Sequence, residues 1–146
     1  MIIETANLSD AQKQNVRVLL DLLDDVTKEQ IGDLDAYMTE LLKQRFILSF
    51  DKDVVVGFLS YIPDYNEKYD FVSYVIVHPK YRARGMLRTI YARLFKRRYD
   101  RLFFTKLYAV HDRYVAVLRS IGFVPQMHFD GESEEHPSVI YYVKNN

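Results

Sequence analysis

The sequence predicts an α/β sandwich: a mixed, mostly antiparallel sheet flanked by helices. Three observations carry this. Short apolar, β-branched runs alternate with polar turns; two buried strands bracket a strongly amphipathic helix; and the element order reads βααβββαβαββ from end to end. No repeat, low-complexity tract or linker interrupts the 146 residues, which predicts a single domain over 1–146.

Met1 to Ala6 reads as a short opening strand. Ser9 with Gln12 forms a capping-box pattern, so a helix runs from about Asp10 to Leu23, with Val16, Leu19 and Leu23 at helical spacing. Thr27 with Gln30 caps a short turn, and Asp33 to Gln44 forms a second helix. Phe46 to Phe50 and Val54 to Tyr61 are strands joined by the polar turn Asp51-Lys52-Asp53. Pro63 to Asp70 is a polar loop. Phe71 to Val77 is apolar and β-branched, hence a buried strand, and Pro79 stops it. A helix follows from Met86 to Tyr99, its apolar side made by Leu87, Ile90, Tyr91, Leu94 and Phe95. Leu102 to Val110 is a strand, Asp112 to Ile121 a helix closed by Gly122. Pro125 to Phe129 and Val139 to Val143 are a final antiparallel pair, joined by an acidic loop.

Composition narrows the functions. Cysteine is absent, which removes disulfides, thiolate metal sites and a cysteine nucleophile. The four histidines are dispersed, so no metal site is expected. No apolar run approaches membrane-spanning length and the N-terminus lacks a secretory pattern, so a cytoplasmic protein is expected. The net charge of zero hides an asymmetry: residues 79–119 hold twelve Lys or Arg against two acids, and the remainder holds eight against eighteen. A segment of about +10 inside a neutral chain points to an anionic ligand or partner, or to a solvated basic helix face.

Within that segment, a buried strand ends at Val77, a basic turn follows, and a helix begins at Gly85. Helix N-termini present unpaired N–H groups and the positive end of the macrodipole, so they bind phosphate. Glycine lets the backbone approach an oxygen without a Cβ between them. Arg82, Arg84 and Arg88 can add charge-assisted hydrogen bonds. Neither common nucleotide loop is present, and a single glycine also suits a plain strand-to-helix turn.

The stretch Val75-Ile76-Val77-His78-Pro79-Lys80-Tyr81-Arg82-Ala83-Arg84-Gly85-Met86-Leu87 resembles motif A of the GNAT N-acetyltransferases, V-x-V-x-P-x-x-R then R/Q-x-x-G-x-G/A. Val75, Val77, Pro79, Arg82 and Gly85 match it. Downstream, His111 to Phe123 resembles the family's N-x-x-A-x-x-L-Y-x-x-x-G-F segment, with Gly122-Phe123 at its end. The resemblance implies an acetyl-CoA-dependent N-acetyltransferase, with direct attack by a primary amine of a small molecule or peptide, and a homodimer through the C-terminal strands. It implies that the strand ending at Val77 splays from the strand ending at Val110. Pantetheine would bond the backbone around Val75 and Val77, and the pyrophosphate would sit on the N–H groups of Arg84, Gly85, Met86, Leu87 and Arg88. A backbone N–H near Val77 would polarise the acetyl carbonyl.

Three positions depart from the family pattern. Leu87 replaces a small residue and must point toward the core. His111 replaces Asn, and is either a surface residue or a ligand to the cofactor or substrate. Leu118 replaces the Tyr that in many members protonates the leaving thiolate; Tyr114, one turn earlier, is the candidate acid or else a core residue. For the base, the strand offers Ser73 and Tyr74, Asp70 precedes it, and Glu134, Glu135 and His136 follow in the last hairpin. Tyr61, Tyr65 and Tyr69 are candidates for an acceptor pocket or for packing. Two other functions stay open: a sensor that binds acetyl-CoA without turnover, and a nucleic-acid binder using the basic segment.

Overall fold

The computed structural model describes residues 1–82, 85–108, 112–129 and 139–144. Its elements are β1 (Ile2–Thr5), α1 (Asp10–Asp21), α2 (Asp25–Ile31), α3 (Leu34–Leu41), β2 (Arg45–Asp51), β3 (Val54–Ile62) and β4 (Tyr69–Val77). A 3₁₀ turn, Pro79–Tyr81, leads to α4 (Met86–Arg97), β5 (Leu102–Tyr108), α5 (Asp112–Ile121), β6 (Val124–Phe129) and β7 (Val139–Lys144). The expected mixed α/β architecture is present. Among the described residues the sheet has seven strands in the order β1-β2-β3-β4-β5-β7-β6, antiparallel throughout except for β4 beside β5.

One helix exceeds the expected pair. The turn expected to be capped by Thr27 is α2, and its cap lies three residues earlier. Asp24 Oδ1 accepts from the Thr27 N–H at 2.8 Å and Oδ2 from its hydroxyl at 3.0 Å. Aspartate competes well for such a position because its carboxylate meets both the orphan N–H groups and the positive end of the helix. The capping box at α1 forms as the spacing predicts, with Ser9 Oγ accepting from Gln12 N and Gln12 Oε1 accepting from Ser9 N.

Two clusters fill the two sides of the sheet. On one side α4 and α5 cover β2–β5, burying Ile47, Leu59, Tyr61, Val72, Ile90, Tyr91, Leu94, Phe103, Leu118 and Phe123. On the other, α1 and α3 cover Phe46, Leu48, Phe58 and Ile76 with Val16, Leu19, Leu20 and Leu41. Gly122, at φ 115°, ends α5 and turns the chain so that Phe123 packs against Tyr91 and Phe95.

The α4 helix stops at Arg97, two residues before the expected end. Arg98 leaves helical geometry (φ −119°, ψ 48°) and turns its guanidinium onto Asp70, the second residue of β4. A charge-assisted pair with a buried carboxylate outweighs another half-turn of helix.

Candidate functional site

The site is built on an irregularity in β4. From Gly57↔Val77 to Ser60↔Tyr74 the strand pairs with β3 in one register; from Tyr61↔Val72 onward it pairs one residue out of step. Ser73 is the extra residue, a β-bulge that shifts the alternation of β4. Before it, Asp70 and Val72 face α4; after it, Val75 and Val77 do, while Tyr74 and Ile76 face α1 and α3. An undisturbed strand, with its period of two, could not bring both sets to the same side.

The bulge also decides where the backbone points. The His78 N–H donates to Val56 O at 2.8 Å, so His78, Ile76 and Tyr74 direct their polar backbone groups at β3. The groups of Val75 and Val77 therefore point the other way, toward β5. There the two parallel strands part. Their pairing runs from Tyr69↔Leu102 to Val72↔Thr105 and goes no further, although β4 continues to Val77 and β5 to Tyr108. Thr105 Oγ1 donates to Val72 O at 2.9 Å, a buried bond that marks the apex of the gap. The expected splay is thus present. Of the strand expected to end at Val110, the structure describes the part to Tyr108.

At the wide end of the gap lies the start of α4. Gly85 takes φ 73°, ψ 8° as the N-cap, a left-handed conformation that glycine adopts without strain. Among the described residues a Cβ there would meet nothing within 4 Å. Among the described residues no side chain caps the helix, which leaves the first-turn N–H groups of Met86, Leu87 and Arg88 facing outward with the positive end of the dipole.

Most of the motif residues gather here. Arg82 Nε donates to Val77 O at 3.2 Å, which sets its guanidinium at the mouth of the gap. Leu87 is half-buried against the core cluster, the inward direction expected of it, and Met86 packs beside it. Arg88 reaches sideways to α5, where Nη2 donates to Ser120 Oγ at 2.8 Å. Arg84 and His111 lie outside the described residues, as do Glu134, Glu135 and His136. The backbone of Tyr114 belongs to α5, but its side chain is outside what is described.

Five positions singled out in the sequence take structural or packing roles. Leu118 is fully buried among Tyr91, Phe123 and their neighbours, so this position supplies no proton. Asp70 is fully buried at the far end of β4 and accepts four times: from Arg98 Nε at 2.8 Å and Nη2 at 3.2 Å, Arg101 Nε at 3.0 Å, and the Asp64 N–H at 2.8 Å. Burial pushes its carboxyl up, but these donors outweigh burial and hold it below the ordinary carboxylate range. It is a structural anion and not a base. Tyr61 is fully buried on the α4 side with its hydroxyl on Glu4 Oε1 at 2.6 Å, and burial first, then Glu4, raises its pKa. Tyr65 lies over the stacked pair Phe71–Phe104, whose centroids are 4.7 Å apart, and Tyr69 meets the edge of Phe104.

One residue of the site escaped the sequence reading. Gly57 of β3 sits opposite Val77, and a Cβ there would come within 3.0 Å of Met86 Sδ and 3.3 Å of Ile76 O. It lets the first turn of α4 settle onto the ends of β3 and β4. The signal was a lone glycine inside a strand pattern, which marks close approach.

Among the described residues no helix is long and apolar enough to cross a membrane, and no group of three or more His, Asp or Glu side chains could hold a metal ion. The model of the Acetyltransferase (GNAT) family matches residues 17–123. No curated protein matches the sequence. Among solved structures, an aminoglycoside 6′-N-acetyltransferase complexed with coenzyme A superposes with a TM-score of 0.79 at 16% identity, over 99% of this chain and 96% of that one. The ribosomal-protein-S18-alanine N-acetyltransferase of Escherichia coli gives 0.71 at 12% identity, over 99% and 93%. Arabidopsis thaliana NAA60, in complex with a bisubstrate analogue, gives 0.77 at 11%, over 99% and 98%. At these identities the likeness is one of fold.

Proposed function

Because the chain belongs to the acetyltransferase (GNAT) family, we propose that it is one acetyltransferase domain that binds acetyl-CoA in the gap between β4 and β5 and transfers the acetyl group to a primary amine. The observation that carries this reading is the parting of β4 from β5 after Val72 and Thr105, with the backbone groups of Val75 and Val77 turned into the opening. Acetyl-CoA supplies an activated thioester at the end of an extended arm that contains amides. Such an arm suits an unpaired strand edge, where it replaces the missing ladder bonds.

Each residue then has a physical task. The N–H groups of Gly85, Met86, Leu87 and Arg88, and of Arg84 before them, meet the pyrophosphate at the positive end of α4. Arg82 adds charge at the mouth of the gap. The Val77 N–H is available to polarise the acetyl carbonyl, because Arg82 occupies only the Val77 carbonyl. His111 and Tyr114 remain our candidates for a cofactor ligand and for the acid that serves the leaving thiolate. The fold of a coenzyme A-complexed aminoglycoside acetyltransferase, so similar to this one, supports the cofactor assignment.

A second reading, binding without turnover, is favoured by one observation: the position where many members carry the acidic Tyr is here a core leucine.

Calorimetric titration with acetyl-CoA tests the cofactor site. We expect saturable one-to-one binding in the wild type and its loss in Gly85→Trp. Gly32→Ala serves as the control, since Gly32 also has positive φ (78°) and no described atom within 4 Å of where its Cβ would be. No binding to the wild type, or equal binding to Gly85→Trp, refutes the site. Release of free thiol with a panel of amines then separates the enzyme from the sensor.

A further inference from the structure

The other end of α4 carries a second concentration of charge. Where the last turns of the helix lean over β1 and β2, a cleft of about 520 Å3 opens, lined by Glu4, Arg45, Arg93, Lys96, Arg97 and Tyr99. Four cations face one carboxylate, a surplus of three positive charges. We propose that this cleft is a separate anion site that takes a phosphorylated small molecule.

The site is built and not merely a basic surface. Glu4 is largely buried and held from three sides: by the Tyr61 hydroxyl at 2.6 Å, by Arg97 Nε at 3.0 Å and by Arg45 Nη2 at 3.5 Å. It fixes two guanidinium groups while leaving their remaining N–H donors directed elsewhere. Arg93 is tethered by Nη2 to Ile2 O at 3.2 Å. Arg45 Nε is shut off from solvent and finds no acceptor among the described residues. That nitrogen is closed to a ligand as it is to water, so it is the outer part of the guanidinium, on a side chain 41% exposed, that meets an anion in the cleft.

Basic residues in the last turn of a helix also offset its dipole, which alone could account for Lys96 and Arg97. It does not account for Arg45, which comes from β2 and turns into the same cleft. Several guanidinium groups with an ammonium suit the many oxygens of a phosphate better than a single carboxylate. The volume is that of a site for one small ligand, bounded by Glu4, whereas a nucleic-acid strand needs its cations in a row. The cleft is separate from the acetyl-CoA gap: Arg93 and Arg97 lie eight and twelve residues beyond Gly85, about 12 and 18 Å along the helix.

Inorganic pyrophosphate is the probe, titrated by calorimetry into the wild type, Arg93→Glu/Lys96→Glu and Gly85→Trp. Both substituted side chains in the double variant are solvent-exposed, and circular dichroism verifies that it folds. If it does not, Arg93→Gln/Lys96→Gln takes its place. With the start of α4 blocked by Gly85→Trp we expect binding to persist, and to fall about tenfold or more when Arg93→Glu/Lys96→Glu is added to that variant. Loss in Gly85→Trp alone would put the anion at the start of α4 and overturn the proposal, as would no binding to the wild type. A short oligouridine that binds through Arg93 and Lys96 where pyrophosphate does not would also overturn it, in favour of a nucleic-acid surface.

Discussion

Replacing Asp70 by Asn keeps the shape of the side chain and removes its charge. Asp70 is fully buried and accepts from two guanidinium groups and one backbone N–H. An amide can still accept through its oxygen, but its NH₂ then faces an arginine, and two cations lose the buried one of their two counterions, keeping only the exposed Asp64. Breaking one side of a buried ion pair costs about 3–5 kcal/mol. The lower end applies here, because both arginines keep other partners. Arg101 donates to Glu67 O and Asn66 O, both at 2.7 Å, and Arg98 donates to Asp64 Oδ1 at 2.9 Å. We therefore expect a loss of about 3 kcal/mol at pH 7 by urea denaturation, with a fall in Tm of roughly 10 °C. The pH dependence has a definite sign. The folded-state pKa of Asp70 lies below its unfolded value of 3.8, so its stabilisation is complete above that value and disappears as pH falls through the folded pKa. The difference between wild type and variant should stay constant above about pH 5 and shrink in more acid solution. A loss below about 1 kcal/mol, or a difference that does not shrink in acid, would refute the account of Asp70 as a buried structural anion.

Two other substitutions probe the gap. Thr105→Val removes the hydroxyl that bonds Val72 O at the apex; it should cost about 1–3 kcal/mol in thermal denaturation, because a buried carbonyl loses its partner, and should weaken acetyl-CoA in calorimetry. Gly57→Ala places a methyl group 3.0 Å from Met86 Sδ and 3.3 Å from Ile76 O. Met86 can swing aside but the Ile76 carbonyl cannot, so we expect a loss of about 1–3 kcal/mol and weaker cofactor binding as the first turn of α4 lifts. Unchanged stability and affinity would show that α4 does not depend on this close approach.

The features that were legible in the sequence are those written by local rules. The Ser9–Gln12 box, the period of α4, the strand ended by Pro79 and the glycine that opens α4 each follow from a few adjacent residues. So does the inward turn of Leu87, which shares a helical stripe with Ile90, Tyr91 and Leu94. The illegible features depend on partners far along the chain. Nothing near Ser73 announces a bulge; it is defined only by the register of β4 against β3. Asp70 read as a loop residue and a candidate base because Arg98 and Arg101, which claim its oxygens, lie about thirty residues away. Glu4, Arg45 and Arg97 come from three separate elements, and only the fold brings them to one cleft. Gly57 stands between: its glycine was visible, but not the methionine it makes room for.

The extra residue at Ser73 has a consequence for the sheet as a material. Barrels remove strand edges by closure, and open sheets keep them at the margins; this sheet has an edge in its middle. From Val72 to Val77 it carries an internal seam, held at one end by four pairs between β4 and β5. A seam of this kind is indifferent to what closes it, provided that the filler is extended and carries amides. The neighbouring strand itself is such a filler, and the bulge is what keeps β5 from zipping shut. Deleting Ser73 would restore one-to-one pairing of β4 with β3, leaving Val75 and Val77 opposite Leu59 and Gly57, and would remove the bend and extra twist that a bulge gives the strand, so that β5 closes along it and a binding groove is exchanged for a stronger sheet.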